Sequence, residues 1–184
     1  MFGHAADGAW FAPDEDLAGE TEIVSGSLRI RVHEAPGHTP GSVLLEWNGR
    51  LLTGDTLFWG GCGNCRNGGD PSRLARTFLS SFSRLADGLE VHPGHDYAEP
   101  NLLFALALEP GNAAVGARLA AVRAAKAAGG EPPAPTLAEE RRVNPFLRVG
   151  RPEVRGAVSL RAGIAPGASD EEVFVALRGL RDRG

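Results

Sequence analysis

The stretch APGHTPGSVLLEWNGRLLTGD, from Ala35 to Asp55, decides how the rest of the chain is read. Two apolar runs, Ser42 to Trp47 and Arg50 to Thr53, flank Asn48-Gly49, the strongest short hairpin signal because both central residues of a type I′ turn need positive φ. An antiparallel hairpin sets the start of its first strand beside the end of its second. His38, in a Pro/Gly-rich turn before the first run, and Asp55, just after the second, therefore converge at one sheet edge. A neutral imidazole and a carboxylate placed together suit a zinc-type ion. A third candidate, His95 in HPGHDY, follows a short strand read over Leu89 to His92, and Pro93-Gly94 turns the chain to bring it to the same edge.

Upstream, Thr21 to Val24 and Leu28 to His33 read as two strands across a Ser25-Gly26 turn, with Leu28, Ile30 and Val32 alternating against Arg29, Arg31 and His33. His33 falls on the polar face, where a solvated or hydrogen-bonded histidine is expected rather than a ligand. Residues 1–20, with Trp10, Phe11 and the acidic run Asp14-Glu15-Asp16, read as irregular. Downstream of the hairpin, WGGCGNCRNGG from Trp59 to Gly69 is a loop so rich in glycine that its backbone turns tightly or approaches a ligand closely. Its Cys62 and Cys65 form one C-x-x-C, open to three readings: free structural thiols, a redox pair or a metal clip.

Asp70-Pro71 caps and opens a helix carrying Leu74, Phe78, Phe82 and Leu85 at helical spacing as far as Gly88. From Asn101 the chain turns helical, and a domain boundary is expected between residues 98 and 112. One helix runs over Leu102 to Leu108; a second starts at an Asn112 cap with Val115, Leu119 and Val122 on one face and stops at Gly129-Gly130. Thr136 with Glu139, and Ser169 with Glu172, read as capping boxes, the second opening a final helix with Val173, Leu177 and Leu180 inward.

The 184 residues are 42% hydrophobic and 23% charged, with a net charge of −4 and two cysteines. That is the composition of a globular domain, or one with a small appendage. No basic cluster points to nucleic acid or to a membrane surface. No apolar run approaches the roughly 20 residues of a spanning helix, and the opening MFGHAADGAW lacks a signal-peptide layout. The expected location is cytoplasmic.

The motifs PGHTPGS, TGDTLF, GGCG, PGHDY, NLLFALALEPGN and TLAEERRVNPFLR resemble, in order and spacing, the hydroxyacylglutathione hydrolases (glyoxalase II) of the metallo-β-lactamase superfamily, from about residue 20 to about residue 182. The resemblance implies an α/β fold, the four-layer αββα sandwich, over residues 1–100, followed by a helical C-terminal domain over residues 101–184. It implies two divalent metal ions, zinc first and iron or manganese as alternatives. His38 would hold one ion and His95 the other, with Asp55 bridging both. It assigns substrate contact to Tyr97 and, in the glycine-rich loop, to Asn64, Arg66 and Asn67, which stand where the family has basic and aromatic side chains. Arg181 falls at a basic position that grips glutathione carboxylates, while Gly184 stands at a family lysine. A helix-dipole role for Arg178, Arg181 and Arg183 is the plain alternative. Asp96 is expected to hydrogen-bond locally, and His92 takes no role from the family.

The family's H-x-H-x-D-H loop is not present in this sequence, and neither His4 nor His33 has a partner at that spacing. Three readings follow: opening strands and ligand loop that lie outside this sequence, a second polypeptide that supplies them, or a degenerate chain whose bare sheet face binds a partner. The implied reaction is hydrolysis of a small S-2-hydroxyacyl thioester of glutathione or a similar thiol, with no protein nucleophile beyond a metal-activated water. A single-iron relative of the persulfide dioxygenases is the enzymatic alternative.

Overall fold

A computed structural model describes residues 1–10 and 12–183; Phe11 and Gly184, touched by the reading above, lie outside the described residues. The strands are β1 (Phe2–Gly3), β2 (Glu15–Asp16), β3 (Glu22–Ser25), β4 (Leu28–Glu34), β5 (Val43–Trp47), β6 (Arg50–Gly54), β7 (Leu57–Phe58), β8 (Gly61–Cys62) and β9 (Glu90–Pro93). The α-helices are α1 (Pro71–Arg76), α2 (Ala98–Leu108), α3 (Ala113–Ala127), α4 (Leu137–Val143), α5 (Pro152–Ala162) and α6 (Asp170–Arg183). The architecture is α/β. Five strands form one mixed sheet in the order β3-β4-β5-β6-β9, antiparallel except for the parallel pair β6/β9.

The β5/β6 hairpin turns where the sequence requires it, with φ of 49° at Asn48 and 75° at Gly49. Its register pairs Leu45 with Leu52, and β4 pairs Val32 with Leu45, so a row of apolar side chains crosses one sheet face. The opposite face carries Leu44, Leu51 and Val91, all fully buried. These three join Leu74, Phe78 and Phe82 from the α1 region and Leu137, Phe146, Phe174 and Leu177 from the later helices in one core cluster. Each fully buried phenylalanine there contributes roughly 2–3 kcal/mol by burial alone. The core thus draws on both sides of residue 100. The first face is covered at one end, where Leu17 packs on Ile23 and Val32. Farther along, Trp47 and Leu52 stay 41% and 43% exposed.

Four local features depart from the sequence reading. Residues 1–20 hold a short parallel pairing of β1 with β2 and a 3-10 turn over Ala5–Asp7, where irregular chain was expected. Those strands are two residues long, too short for alternation to register. The helix opened by Asp70 and Pro71 does not run uniformly to Gly88: after Arg76 it widens into a π-turn over Thr77–Ser81 and tightens over Phe82–Arg84. There Phe78 meets Phe82 and Phe174 at ring-centroid distances of 4.8 and 5.0 Å, so tertiary packing sets the helix winding. Helix α2 starts at Ala98, earlier than the expected Leu102. Helix α5 carries Val154 and Val158 fully buried and ends on Gly163 in the left-handed conformation; Pro152 at its first turn and Gly163 just past its end are the signals that mark it.

The remaining helical expectations hold. Asn112 caps α3 through the amides of Ala114 and Val115, and Val115, Leu119 and Val122 face inward. Thr136 and Glu139 form a reciprocal capping box on α4, as do Ser169 and Glu172 at α6. No described helix is long and apolar enough to cross a membrane.

Candidate metal-ligand cluster and substrate cleft

Strands β6 and β9 run parallel, so their C-terminal ends lie side by side, and the chain leaves them toward Asp55 and His95. His95 Nδ1 lies 2.7 Å from Asp55 Oδ1. From the turn before β5, His38 directs Nε2 toward the other carboxylate oxygen, Asp55 Oδ2, at 3.7 Å. One carboxylate therefore faces two histidines, one per oxygen. His38 Nδ1 is 2.7 Å from the backbone oxygen of Asn64. A carbonyl only accepts, so Nδ1 carries the proton and Nε2 keeps its lone pair for a ligand role.

Two glycines let the backbone close on this cluster. A Cβ at Gly63 would collide with the Asp55 backbone oxygen and lie 2.8 Å from His38 Nδ1, and one at Gly94 would lie 2.6 Å from Asp55 Oδ1. From beneath, the Thr77 hydroxyl donates to the Pro36 carbonyl at 2.8 Å and so ties the π-turn to the segment that carries His38.

In kind, these donors fit divalent metal ions: two neutral imidazoles and a carboxylate able to bridge. In number they do not complete a site. Among the described residues no group of three or more His, Cys, Asp or Glu side chains encloses a single ion; the three meet pairwise through Asp55. Two ions sharing Asp55 would each have one histidine and one carboxylate oxygen, where zinc takes about four ligands.

The other site residues read from the sequence gather beside the cluster. Tyr97 stacks on His95 with ring centroids 5.5 Å apart. With Asn64, Arg66 and Arg181 it lines a polar cleft of about 340 Å³ that also includes Phe58 and Asn101. Arg181 reaches Asn101 Oδ1 at 3.4 Å and lies over Phe104. Sequence reasoning missed Phe58 and Asn101. The first sits inside the TGDTLF motif next to Asp55, which is a usable signal. The second lies in the first turns of α2 and begins the motif NLLFALALEPGN, an equally usable signal.

Arg178 is not a cleft cation free for ligands. It is 5% exposed, donates to the carbonyl of Cys62 at 2.8 Å and pairs with Asp182 at 2.9 Å. Both cysteines are free. Burial pushes the Cys62 thiol up to about 12 and the Cys65 thiol up to about 11, with Arg178 opposing the rise in each. Thiols held so far above neutrality are poor nucleophiles. His33 bonds Glu46 at 2.9 Å, hydrogen-bonded as expected, but the register pairs His33 with Leu44 and Glu46 with Leu51, so the pair sits on the core-bearing sheet face and not on a separate polar one. Asp96 accepts from Ala98 N and pairs with Lys126, which holds its carboxyl below the ordinary range. His4 accepts from the amide of Ala6 at 3.1 Å.

Residues 96–184 match the family model described as hydroxyacylglutathione hydrolase C-terminus. A hydroxyacylglutathione hydrolase of Anaeromyxobacter dehalogenans is 64% identical over 183 residues, an alignment that spans all of this chain and 72% of that protein. One from Cupriavidus taiwanensis is 43% identical over 162 residues, covering 85% of this chain and 59% of that protein. Among solved structures, the BLEG-1 B3 metallo-β-lactamase superposes with a TM-score of 0.56 at 21% identity, over 79% of this chain and 64% of that one. Identity of 64% over the whole of this chain and 72% of the relative's length, with the family-model match over residues 96–184, places the chain in the hydroxyacylglutathione hydrolase family.

Proposed function

We propose that this chain carries the His38, Asp55 and His95 half of a binuclear metal centre in a hydrolase of small hydroxyacyl thioesters. The observation that carries this reading is the geometry of Asp55, whose two oxygens face two different histidines, next to an arginine-bearing cleft lined by Asn64 and Tyr97, which touch those histidines. A bound divalent ion, zinc or else iron or manganese, supplies Lewis-acid polarisation and a water of lowered pKa. His38, with its proton fixed on Nδ1, would hold one ion through Nε2, His95 would hold the other, and Asp55 would be shared between them. The remaining donors come from polypeptide outside these residues, either further chain or a second one.

The cleft residues have separate tasks. Arg66 and Arg181 are suited to the carboxylates of a thiol-bearing peptide such as glutathione, since guanidinium groups pair with carboxylates in two-point contacts. Tyr97, stacked on His95, and Phe58 border the acyl side and restrict water. Asn64 is placed for both duties, its side chain in the cleft and its carbonyl on His38. Residues 1–100 then form the metallo-β-lactamase part and residues 101–184 the helical part that closes the cleft. A reducing, cytoplasmic setting agrees with two free cysteines and a thiol-based substrate.

The test pairs zinc titration of the purified chain with an assay for loss of S-lactoylglutathione absorbance. Zinc binding that His38→Ala weakens, with hydrolysis that appears on adding the polypeptide carrying the missing ligands, supports the reading. Wild-type and His38→Ala chains that bind zinc equally would overturn it.

A further inference from the structure

The loop between Asp55 and Asn64 is held by side chains from the C-terminal helices, residue by residue. Asn144, at the end of α4, donates to the carbonyls of Phe58 at 3.2 Å and Gly61 at 2.9 Å. Asn101 of α2 donates to the carbonyl of Trp59 at 3.2 Å. Arg178 of α6 donates to those of Cys62 at 2.8 Å and Gly63 at 3.4 Å. The one grip of opposite polarity in this set is Glu140 of α4, which accepts from the amide of Gly60 at 2.9 Å and from Asn144 Nδ2 at 3.0 Å. The loop's next carbonyl, that of Asn64, is the one that fixes the His38 proton.

Glu140 is fully buried, and its second oxygen, Oε1, has no partner. Arg118 of α3 lies over the Trp59 ring at 5.1 Å, and its Nε is likewise buried without a partner. Leaving a carboxylate buried with an unmade hydrogen bond costs stability. A neutral side chain would avoid that cost but would not accept from Gly60 and Asn144 as strongly. Such a retained cost is expected where a group serves the site rather than the core.

We propose that Glu140 is a positioning residue for the ligand cluster: from α4 it fixes the loop whose Asn64 carbonyl holds His38 in the Nδ1–H tautomer. The inference rests on His38 being a metal ligand. The groups that face Glu140 electrostatically are Arg118 across the loop and Glu139 on its own helix. Burial pushes the Glu140 carboxyl up to about 7, so its grip on Gly60 changes strength near neutrality.

The experiment uses the metal-free full chain with ¹⁵N-labelled histidine and glycine. Long-range ¹H–¹⁵N spectra report the His38 tautomer, and amide spectra follow Gly60 and Gly63. Zinc affinity is read separately by competition with a chromophoric chelator. In the wild type His38 is expected as a single Nδ1–H tautomer, and the Gly60 and Gly63 amide shifts move together with a midpoint near pH 7. Glu140→Ala is expected to keep its helical circular dichroism while His38 shows mixed tautomers and zinc affinity falls tenfold or more. Glu140→Gln is expected to restore the single tautomer and abolish the amide titration. A folded Glu140→Ala chain with an unchanged tautomer and zinc affinity overturns the proposal. If that variant does not fold, Glu140→Gln still decides: amide shifts that keep the same midpoint overturn it. A wild type that binds no zinc refutes the metal reading alone, since the tautomer comparison is made without metal.

Discussion

The Asn64 carbonyl and His38 Nδ1 lie 2.7 Å apart across a 26-residue separation in the chain, and that single contact leaves the lone pair of His38 aimed at Asp55. Outer contacts of this kind are worth ten- to a hundredfold in metal affinity. Asp55→Asn removes the charge that both histidines share while keeping the shape. The expected outcome is a loss of zinc affinity larger than that for His38→Ala or His95→Ala, measured by chelator competition at fixed pH.

Gly63→Ala tests the close approach behind the cluster. The new methyl would meet the Asp55 backbone oxygen and crowd His38. Overpacking against backbone costs roughly 1–3 kcal/mol, so a lower urea midpoint is expected together with weaker zinc binding. Gly111→Ala, where a Cβ meets nothing within 4 Å, is the matched control and should leave zinc binding unchanged.

Stability should carry a slope from Glu140. Its carboxyl rises from 4.5 to about 7 in the folded state, so between those values the folded chain binds the proton that the unfolded chain has released. The associated stability is full below pH 4.5, is lost as pH rises to about 7 and changes no further above it. The size is on the order of 3 kcal/mol. Asp70, Asp96 and Glu139 act in the other window: their lowered values favour folding above the unfolded range and lose that effect as pH falls through it. Urea melts of Glu140→Gln across about pH 2 to 8 should lack the neutral-side slope and retain the acid-side one.

The Cys62 and Cys65 thiols, raised to about 12 and 11, should alkylate with iodoacetamide at neutral pH at least a hundredfold more slowly than a free thiol, and at the ordinary rate once unfolded. Fast labelling of either in the folded chain would contradict the packing described around Arg178.

What the sequence made legible was local. Asn48-Gly49 fixed the hairpin, and the hairpin brought His38 to Asp55; each cap was written in adjacent residues. The grip on the loop was not legible, because Glu140, Asn144 and Arg178 act on backbone atoms 80, 86 and 116 positions away. Glu139 and Glu140 look like a single solvated run. Helical phase separates them, since Glu140 shares a face with Leu137 and Val143, both buried. Arg178 read as one of three cations suiting a helix end, and only packing shows it buried against Phe146 at 5.4 Å. The π-turn has no local code either; it follows from phenylalanines that meet in the folded core.

The bonds from Arg178 to the loop have a consequence for biosynthesis. Chains emerge from the ribosome N-terminus first, so β6 and the loop after Asp55 leave the exit tunnel long before the helix that grips them. Until about residue 178 is out, the Cys62 and Gly63 carbonyls lack their donor, and the inner sheet face with Leu44 and Leu51 has no Phe174 or Leu177 to cover it. The ligand cluster can therefore mature only after residue 178 has emerged, and a ribosome stalled before that point would hold out an apolar sheet face that α6 has not yet covered.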